Sequence, residues 1–355
     1  ALRWVWRLKP EDIAALCDGS QHAPEALSPE ELARLGAEDL RAAPDWVAAD
    51  MPEWLFAEFK AAFEGRAIAE GEALAARAPI DLRVNTLKAD RPRVLKALAK
   101  YKAAPTLFSP VGIRIPAPGP LEKNPNVEAE AAHGRGWFEV QDEASQIAAF
   151  LSGAAPRLQV LDLCAGSGGK TLAMAALIQN TGQIYAYDSD KLRLRPIFDR
   201  LRRSGARNVQ VLDAGDEAAL ADLRGRMDIV FVDAPCSGSG VWRRRPDAKW
   251  RLTPEALAER IAEQRRVLTL AAPLVRPGGR LVYATCSVLP SENAEQTRWF
   301  LENVPEFAEI AWRGIWQSAP LAPPPEVETG SFALQLTPAG HGTDGFYISI
   351  LERAA

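Results

Sequence analysis

Two cysteines carry the strongest chemical signal in this sequence of 355 residues. Cys236 lies in Asp233-Ala234-Pro235-Cys236-Ser237-Gly238, just after the apolar run 227–233. Cys286 lies in Ala284-Thr285-Cys286-Ser287, at the end of the apolar run 280–286. A buried free cysteine is usually inert packing. Two of them at the ends of strand-like runs, each flanked by turn residues, favour thiol chemistry, in which a thiolate attacks an electrophilic carbon and later leaves.

A glycine loop supplies the second half of a site. The run 158–163 leads into Cys164-Ala165-Gly166-Ser167-Gly168-Gly169-Lys170-Thr171, which opens a helix. Glycines let the backbone approach a ligand, and a helix start offers free N–H groups. The pattern is not a P-loop, because GxxxxGK[ST] needs a glycine five places before Gly169, where Cys164 stands. Asp188 ends the next strand, roughly 20 residues after the loop, and suits the hydroxyls of a ribose. Asp213 and Asp233 end the third and fourth strands, extending a row of acids along the edge where open α/β sheets bind ligands. Asp213 could instead cap the following helix. These residues predict a nucleoside cofactor and leave a nicotinamide and S-adenosylmethionine both open.

Beside a methyl donor, a thiol has a definite use. Pyrimidine C5 is a poor nucleophile until a thiolate adds to C6 and turns the ring into an enamine. C5 can then take an electrophilic methyl group, and loss of the C5 proton expels the thiol. Asp233 is placed to hold the exocyclic amine and N3 of a cytosine. Which cysteine attacks is left open by the residues alone.

Taken together, DLCAGSGGKT, DAPCSGSG and ATCS, in this order and on these strands, resemble the Sun/Fmu-type, RsmB-like RNA cytosine-C5 methyltransferases. The resemblance runs from about Pro79 onward and includes LRVNTLK, VQDEASQ, PDAKWR and DGFYISIL. It implies that Cys286 is the nucleophile, that Cys236 helps release the product, and that Asp233 binds the target base. It implies that Cys164, Ala165, Gly166, Ser167, Gly168, Gly169 and Lys170, with Asp188, Asp213 and Asp233, hold S-adenosylmethionine. It further implies RNA as the partner, ribosomal RNA first and transfer RNA as the alternative. A small-molecule methyltransferase or a dehydrogenase on the same fold is the reading from another class. One departure stands out: the family's loop usually reads APGGK, and Gly166-Ser167 replaces the Ala-Pro pair here.

Nucleic acid needs cations and flat rings, and both follow the Cys236 loop. Residues Trp242 to Arg251 hold five basic side chains against one acid, with two tryptophans. Arg243, Arg244, Arg245 and Lys249 are therefore expected to meet RNA, as are Arg83 and Asn85, which share one face of a strand. Six further basic residues lie between Lys191 and Arg203 and could equally pair with acids.

The elements that must position these groups follow from periodicity. Residues 1–75 read as a helical segment, with a capping box at Ser28-Pro29-Glu30-Glu31 and core aromatics Trp46, Trp54, Phe56, Phe59 and Phe63. Residues 76–140 read as a small α+β, RRM-like unit, with strands over 79–88 and near 111–120 and a helix over 91–100. From 141 to 355, short apolar strands at 158–163, 183–188, 209–212, 227–233 and 280–286 alternate with helices at 169–179, 191–203, 216–223, 255–274 and 291–302. That alternation predicts a doubly wound, mostly parallel, Rossmann-like α/β sheet. Strands at 331–336 and 345–351 are expected to pair antiparallel at an edge, and 320–328 reads as a surface loop.

Composition narrows the class. The net charge of −4 argues against binding nucleic acid by bulk charge alone. Four scattered cysteines and three histidines offer no disulfide framework and no metal site. With no apolar run long enough to span a bilayer and no signal-peptide pattern, a cytoplasmic protein is expected, working as a monomer.

Overall fold

The capping box at Ser28 opens a helix as its spacing predicts. The Ser28 N–H donates to Glu31 Oε2 at 2.8 Å, and the Glu31 N–H donates to Ser28 Oγ at 3.2 Å. In the computed structural model, which describes residues 1–37, 42–325 and 332–355, the first segment is helical: α1 (Pro10–Leu16), α2 (Pro29–Ala37), α3 (Asp45–Ala48), α4 (Glu53–Phe63) and α5 (Ala67–Ala75). Phe59 and Phe63 meet edge to face at 4.7 Å. They share a core with Met51 and Leu55 and with Trp242, Leu257 and Leu289 from far along the chain. Trp54 stays 42% exposed. The segment thus packs on the elements that surround the two cysteine loops.

The α+β unit comprises β1 (Ile80–Val84), α6 (Arg91–Ala97), β2 (Ala104–Pro105), β3 (Gly112–Ile115), α7 (Ala131–Gly134) and β4 (Phe138–Val140). Its sheet has the order β2-β3-β1-β4, with antiparallel neighbours. The expected strand over 79–88 stops at Val84. Asn85 then turns the chain by accepting the Leu87 N–H on its own side chain at 3.2 Å. β4 has only three residues and carries no period that sequence could show.

The remaining chain alternates as expected: α8 (Glu143–Leu151), β5 (Gln159–Asp162), α9 (Gly169–Leu177), β6 (Gln183–Ala186), α10 (Lys191–Leu194), α11 (Ile197–Ser204), β7 (Val209–Val211), α12 (Ala218–Ala221), β8 (Met227–Asp233), α13 (Pro246–Arg251), α14 (Pro254–Ala271), β9 (Val275–Thr285), α15 (Ala294–Asn303), β10 (Phe307–Ile310), α16 (Trp312–Ser318), β11 (Leu334–Leu336), α17 (Pro338–His341) and β12 (Phe346–Arg353). Along β8, Ile229 and Phe231 enter one hydrophobic cluster while Val230 and Val232 enter another, so both faces of the sheet are covered. The helix expected over 191–203 is two helices, because Pro196 interrupts the backbone ladder.

The sheet order is β10-β12-β9-β8-β5-β6-β7, with β5 to β9 parallel. This is the doubly wound, Rossmann-like α/β fold. The chain reverses its direction of progress across the sheet at β5, which places the ligand-binding edge at the carboxyl ends of β5, β6, β8 and β9. β11 and β12 do pair antiparallel, but β12 is not an edge: it lies between β9 and the unanticipated β10. Residue 331 of the expected strand lies outside the described residues. So do 326–328 of the expected loop, whose part 320–325 has no regular structure. Among the described residues, no helix is long and apolar enough to cross a membrane.

Candidate active site

The glycine loop joins β5 to α9 through two left-handed residues, Gly166 at φ +49° and Gly168 at φ +85°. A Cβ at Gly168 would lie 2.5 Å from Ile197 Cγ1, so this glycine also lets α11 close on the loop. A Cβ at Gly166 would meet nothing nearer than 3.9 Å, leaving open space beside the Asp188 carboxylate. Asp188 is buried at the tip of β6 and accepts the Gly166 N–H at 2.8 Å and the Asp190 N–H at 2.9 Å. Beneath the loop, Asp162 Oδ2 accepts the Thr171 hydroxyl at 2.6 Å, while Oδ1 is buried without a partner. Burial pushes the Asp162 carboxyl up to about 7, opposed by the Thr171 hydrogen bond and aided by the Asp233 charge. Open space over bare backbone, a strand-tip acid and an orphaned carboxyl oxygen suit a ribose-bearing cation.

Other loop residues have different settings. Burial, and then the charges of Asp188, Asp233 and Asp162, push the Cys164 thiol well above its ordinary value. It is held as a neutral packing group. Asp213 is exposed and lines a separate groove of about 510 Å³ with Lys191, Leu192 and Phe198.

The parallel pairing of β8 with β9, Asp233 opposite Ala284, brings the two cysteine loops side by side. Cys236 Sγ and Cys286 Sγ are 3.4 Å apart. Both face one cleft of about 420 Å³, whose walls include Asp233, Trp242, Arg193 and Arg245. The hydrogen bond with Cys286, and then burial, push the Cys236 thiol well above its ordinary value. Lys170 Nζ reaches from α9 to Asp233 Oδ2 at 2.6 Å, tying the glycine loop to the thiol cleft.

Several expected RNA contacts are corrected. Arg83 is buried, donating through Nη1 to Gln141 Oε1 at 2.6 Å and to the Gly169 carbonyl at 2.7 Å. Burial lowers its guanidinium to about 10, against the charge of Glu139. Asn85 is buried and donates to the Gly136 and Ser204 carbonyls, each at 2.8 Å. Lys249 is 1% exposed and ion-paired with Asp50. Arg243 Nε pairs with Asp344 Oδ1 at 2.6 Å, and its Nη2 faces Asp142 at 3.5 Å. Arg244 is exposed and pairs with the same two acids. The partners Asp142 and Asp344 lie a hundred residues away, which a local charge count cannot see. Of this basic run, Arg245 is exposed and faces the cleft.

The basic residues of α10 and α11 divide their tasks too. Arg200 donates to Glu139 Oε2 at 3.1 Å and to Ser167 Oγ at 2.8 Å, and Arg203 binds Glu139, so the small unit docks directly on the glycine loop. Sequence reasoning missed Glu292 and Asn293, both buried behind the cysteine loops. Their only signal was a polar pair at the start of a helix, which reads as a cap.

Residues 153–352 match the family described as 16S rRNA methyltransferase RsmB/F, and residues 51–122 match the ferredoxin-like domain described for the same group. The probable ribosomal RNA small subunit methyltransferase B of Synechocystis sp. is 33% identical over 315 residues, covering 85% of this chain and 67% of that protein. The ribosomal RNA small subunit methyltransferase B of Salmonella paratyphi B is 35% identical over 261 residues, covering 72% and 59%. The chain thus spans two thirds or less of the length of these relatives. A solved structure of a methyltransferase homologue from Pyrococcus horikoshii superposes with a TM-score of 0.70 at 26% identity, covering 87% of this chain and 97% of that one. The chain belongs to the RsmB/F methyltransferase family, whose members use S-adenosylmethionine.

Proposed function

We propose that this protein methylates C5 of a cytosine in small-subunit ribosomal RNA through a covalent adduct with Cys286. The observation that carries the reading is the 3.4 Å separation of two sulfurs in one cleft with Asp233. The relatives' names support ribosomal RNA as the substrate.

S-adenosylmethionine would be held by the backbone of the loop 164–170 with Asp188 and Asp233, and would supply an electrophilic methyl group. Cys286 Sγ, as the thiolate, adds to C6 and makes C5 nucleophilic. The Asp233 carboxylate accepts a hydrogen bond from the exocyclic amine, and Lys170 balances its charge. After methylation the C5 proton leaves to solvent water in the cleft, the C5–C6 double bond re-forms, and the C6–S electron pair returns to Cys286 Sγ. Cys236 keeps its proton and donates through it to the departing sulfur. Arg245, on the cleft wall, meets the phosphates beside the target nucleotide.

Unmodified small-subunit rRNA transcript and bulk tRNA, each incubated with methyl-labelled cofactor, test the substrate. Label in 5-methylcytosine of the rRNA is expected; label in tRNA alone overturns the assignment. For the chemistry, Cys236→Ala should accumulate an RNA–protein species on denaturing gels and Cys286→Ala should form none. The opposite pattern reverses the two roles.

A further inference from the structure

Neither cysteine chooses its own position. Cys236 lies between Pro235 and Ser237, and both neighbours are held from behind. The Ser237 N–H donates to Glu292 Oε1 at 2.7 Å, and the Ser237 hydroxyl donates to Glu292 Oε2 at 2.5 Å. Gln264 Nε2 donates both to Glu292 Oε1 at 3.1 Å and to the Pro235 carbonyl at 2.9 Å. Glu292 is completely buried, so these bonds have no competition from bulk solvent.

Cys286 is held in the same manner by the next residue. The Thr285 hydroxyl donates to Asn293 Oδ1 at 2.6 Å, and Asn293 Nδ2 donates to the Ser287 carbonyl at 3.0 Å and to Gln335 Oε1 at 2.9 Å. Asn293 is 2% exposed and uses both ends of its amide. One peptide bond therefore links the side chain that grips the Cys236 loop to the side chain that grips the Cys286 loop. The loops also touch each other, through Ser239 Oγ and Ser287 Oγ at 2.8 Å and through the Gly240 N–H to the Cys286 carbonyl at 2.9 Å.

We infer that Glu292 and Asn293 are a pair of positioning residues with divided tasks: Asn293 aims Cys286 for attack, and Glu292 holds Cys236 for release. Their adjacency in the chain fixes the two sulfurs relative to each other. This assignment rests on the covalent reading above and adds to it a consequence that simple structural support lacks: neighbouring substitutions give opposite phenotypes.

The experiment is a single-turnover reaction on the unmodified rRNA transcript, quenched in denaturant and resolved for adduct and for methylated product. Glu292→Ala should form adduct at close to the normal rate and release it roughly 10–100-fold more slowly, as expected for a sulfur misplaced by a fraction of an ångström. Asn293→Ala should form adduct more slowly by a similar factor and accumulate none. Should the alanine variants not fold, Glu292→Gln and Asn293→Asp, which keep part of each hydrogen-bond set, show the same division at a few-fold scale. Equal loss of formation and release in both variants, in step with a lowered melting temperature, overturns the assignment. Cys236→Ala runs alongside. If it traps adduct and Glu292→Ala does not, the positioning claim alone fails; if it is inactive and traps none, the covalent reading fails and takes this claim with it.

Discussion

Lys170 Nζ stands 2.6 Å from Asp233 Oδ2, so the helix that follows the glycine loop and the strand that leads to Cys236 share one ion pair. Lys170→Met leaves the Asp233 carboxylate without its cation while keeping the aliphatic bulk that packs in α9. Turnover should fall about 100-fold, the scale of losing one electrostatic partner in an active site. Calorimetric affinity for S-adenosylhomocysteine should change far less. Full activity in this variant would remove Asp233 and Lys170 from the proposed chemistry.

Arg83 spans two parts of the molecule, donating from β1 to the Gly169 carbonyl at the end of the glycine loop. Arg83→Lys cannot serve both acceptors with the same fork, so roughly tenfold weaker cofactor binding is expected. RNA affinity measured without cofactor should stay the same. A variant that loses RNA affinity and keeps cofactor affinity would return Arg83 to the RNA surface.

Asp162 gives a pH signature. Its carboxyl is raised from 3.8 to about 7, chiefly by burial. The folded state therefore holds this proton more tightly than the unfolded chain. The resulting stabilisation is complete below the unfolded value and is lost as pH rises to about 7. Melting temperatures of the ligand-free wild type and Asp162→Asn should diverge by a few degrees in the variant's favour between about pH 4.5 and pH 7.5, then run level. A constant difference across that window contradicts the raised value.

Gly240 and Gly345 meet backbone to backbone. The Gly345 N–H donates to the Gly240 carbonyl at 2.8 Å, and a Cβ on Gly240 would lie 2.1 Å from Gly345 O. Gly240→Ala must push the Cys236 loop away from the start of β12, at a cost of about 1–3 kcal/mol and most of the activity. Gly36→Ala in α2 meets open space and serves as the silent control. Comparable melting temperatures for the two variants would show that the contact yields freely.

The sequence spelled out whatever depends on near neighbours. Gly166 and Gly168 take the left-handed turn that their loop demanded, and the strands ending at Asp162, Asp233 and Thr285 follow from continuous apolar runs. Pro196 could have split the helix over 191–203 in advance. What stayed hidden depends on distant partners. Arg243 and Arg244 read as an RNA patch until Asp142 and Asp344 closed on them. Lys249 read as exposed until Asp50 did the same. Glu292 and Asn293 drew no notice within the helix over 291–302, because nothing nearby reveals that two loops converge on them. β10 and β4 are too short for a period to register.

The place of β12 bears on when this protein becomes competent. β9, which delivers Cys286, lies between β8 and β12. A ribosome that has just released Cys286 has already made the glycine loop, Asp188 and Asp233, yet β9 keeps one raw flank until Phe346–Arg353 emerge. Pairing across so long a stretch of chain is a late event. The nascent polypeptide can therefore form β5, β6 and β8 well before β9 gains its second neighbour, so the placement of Cys286 waits on β12.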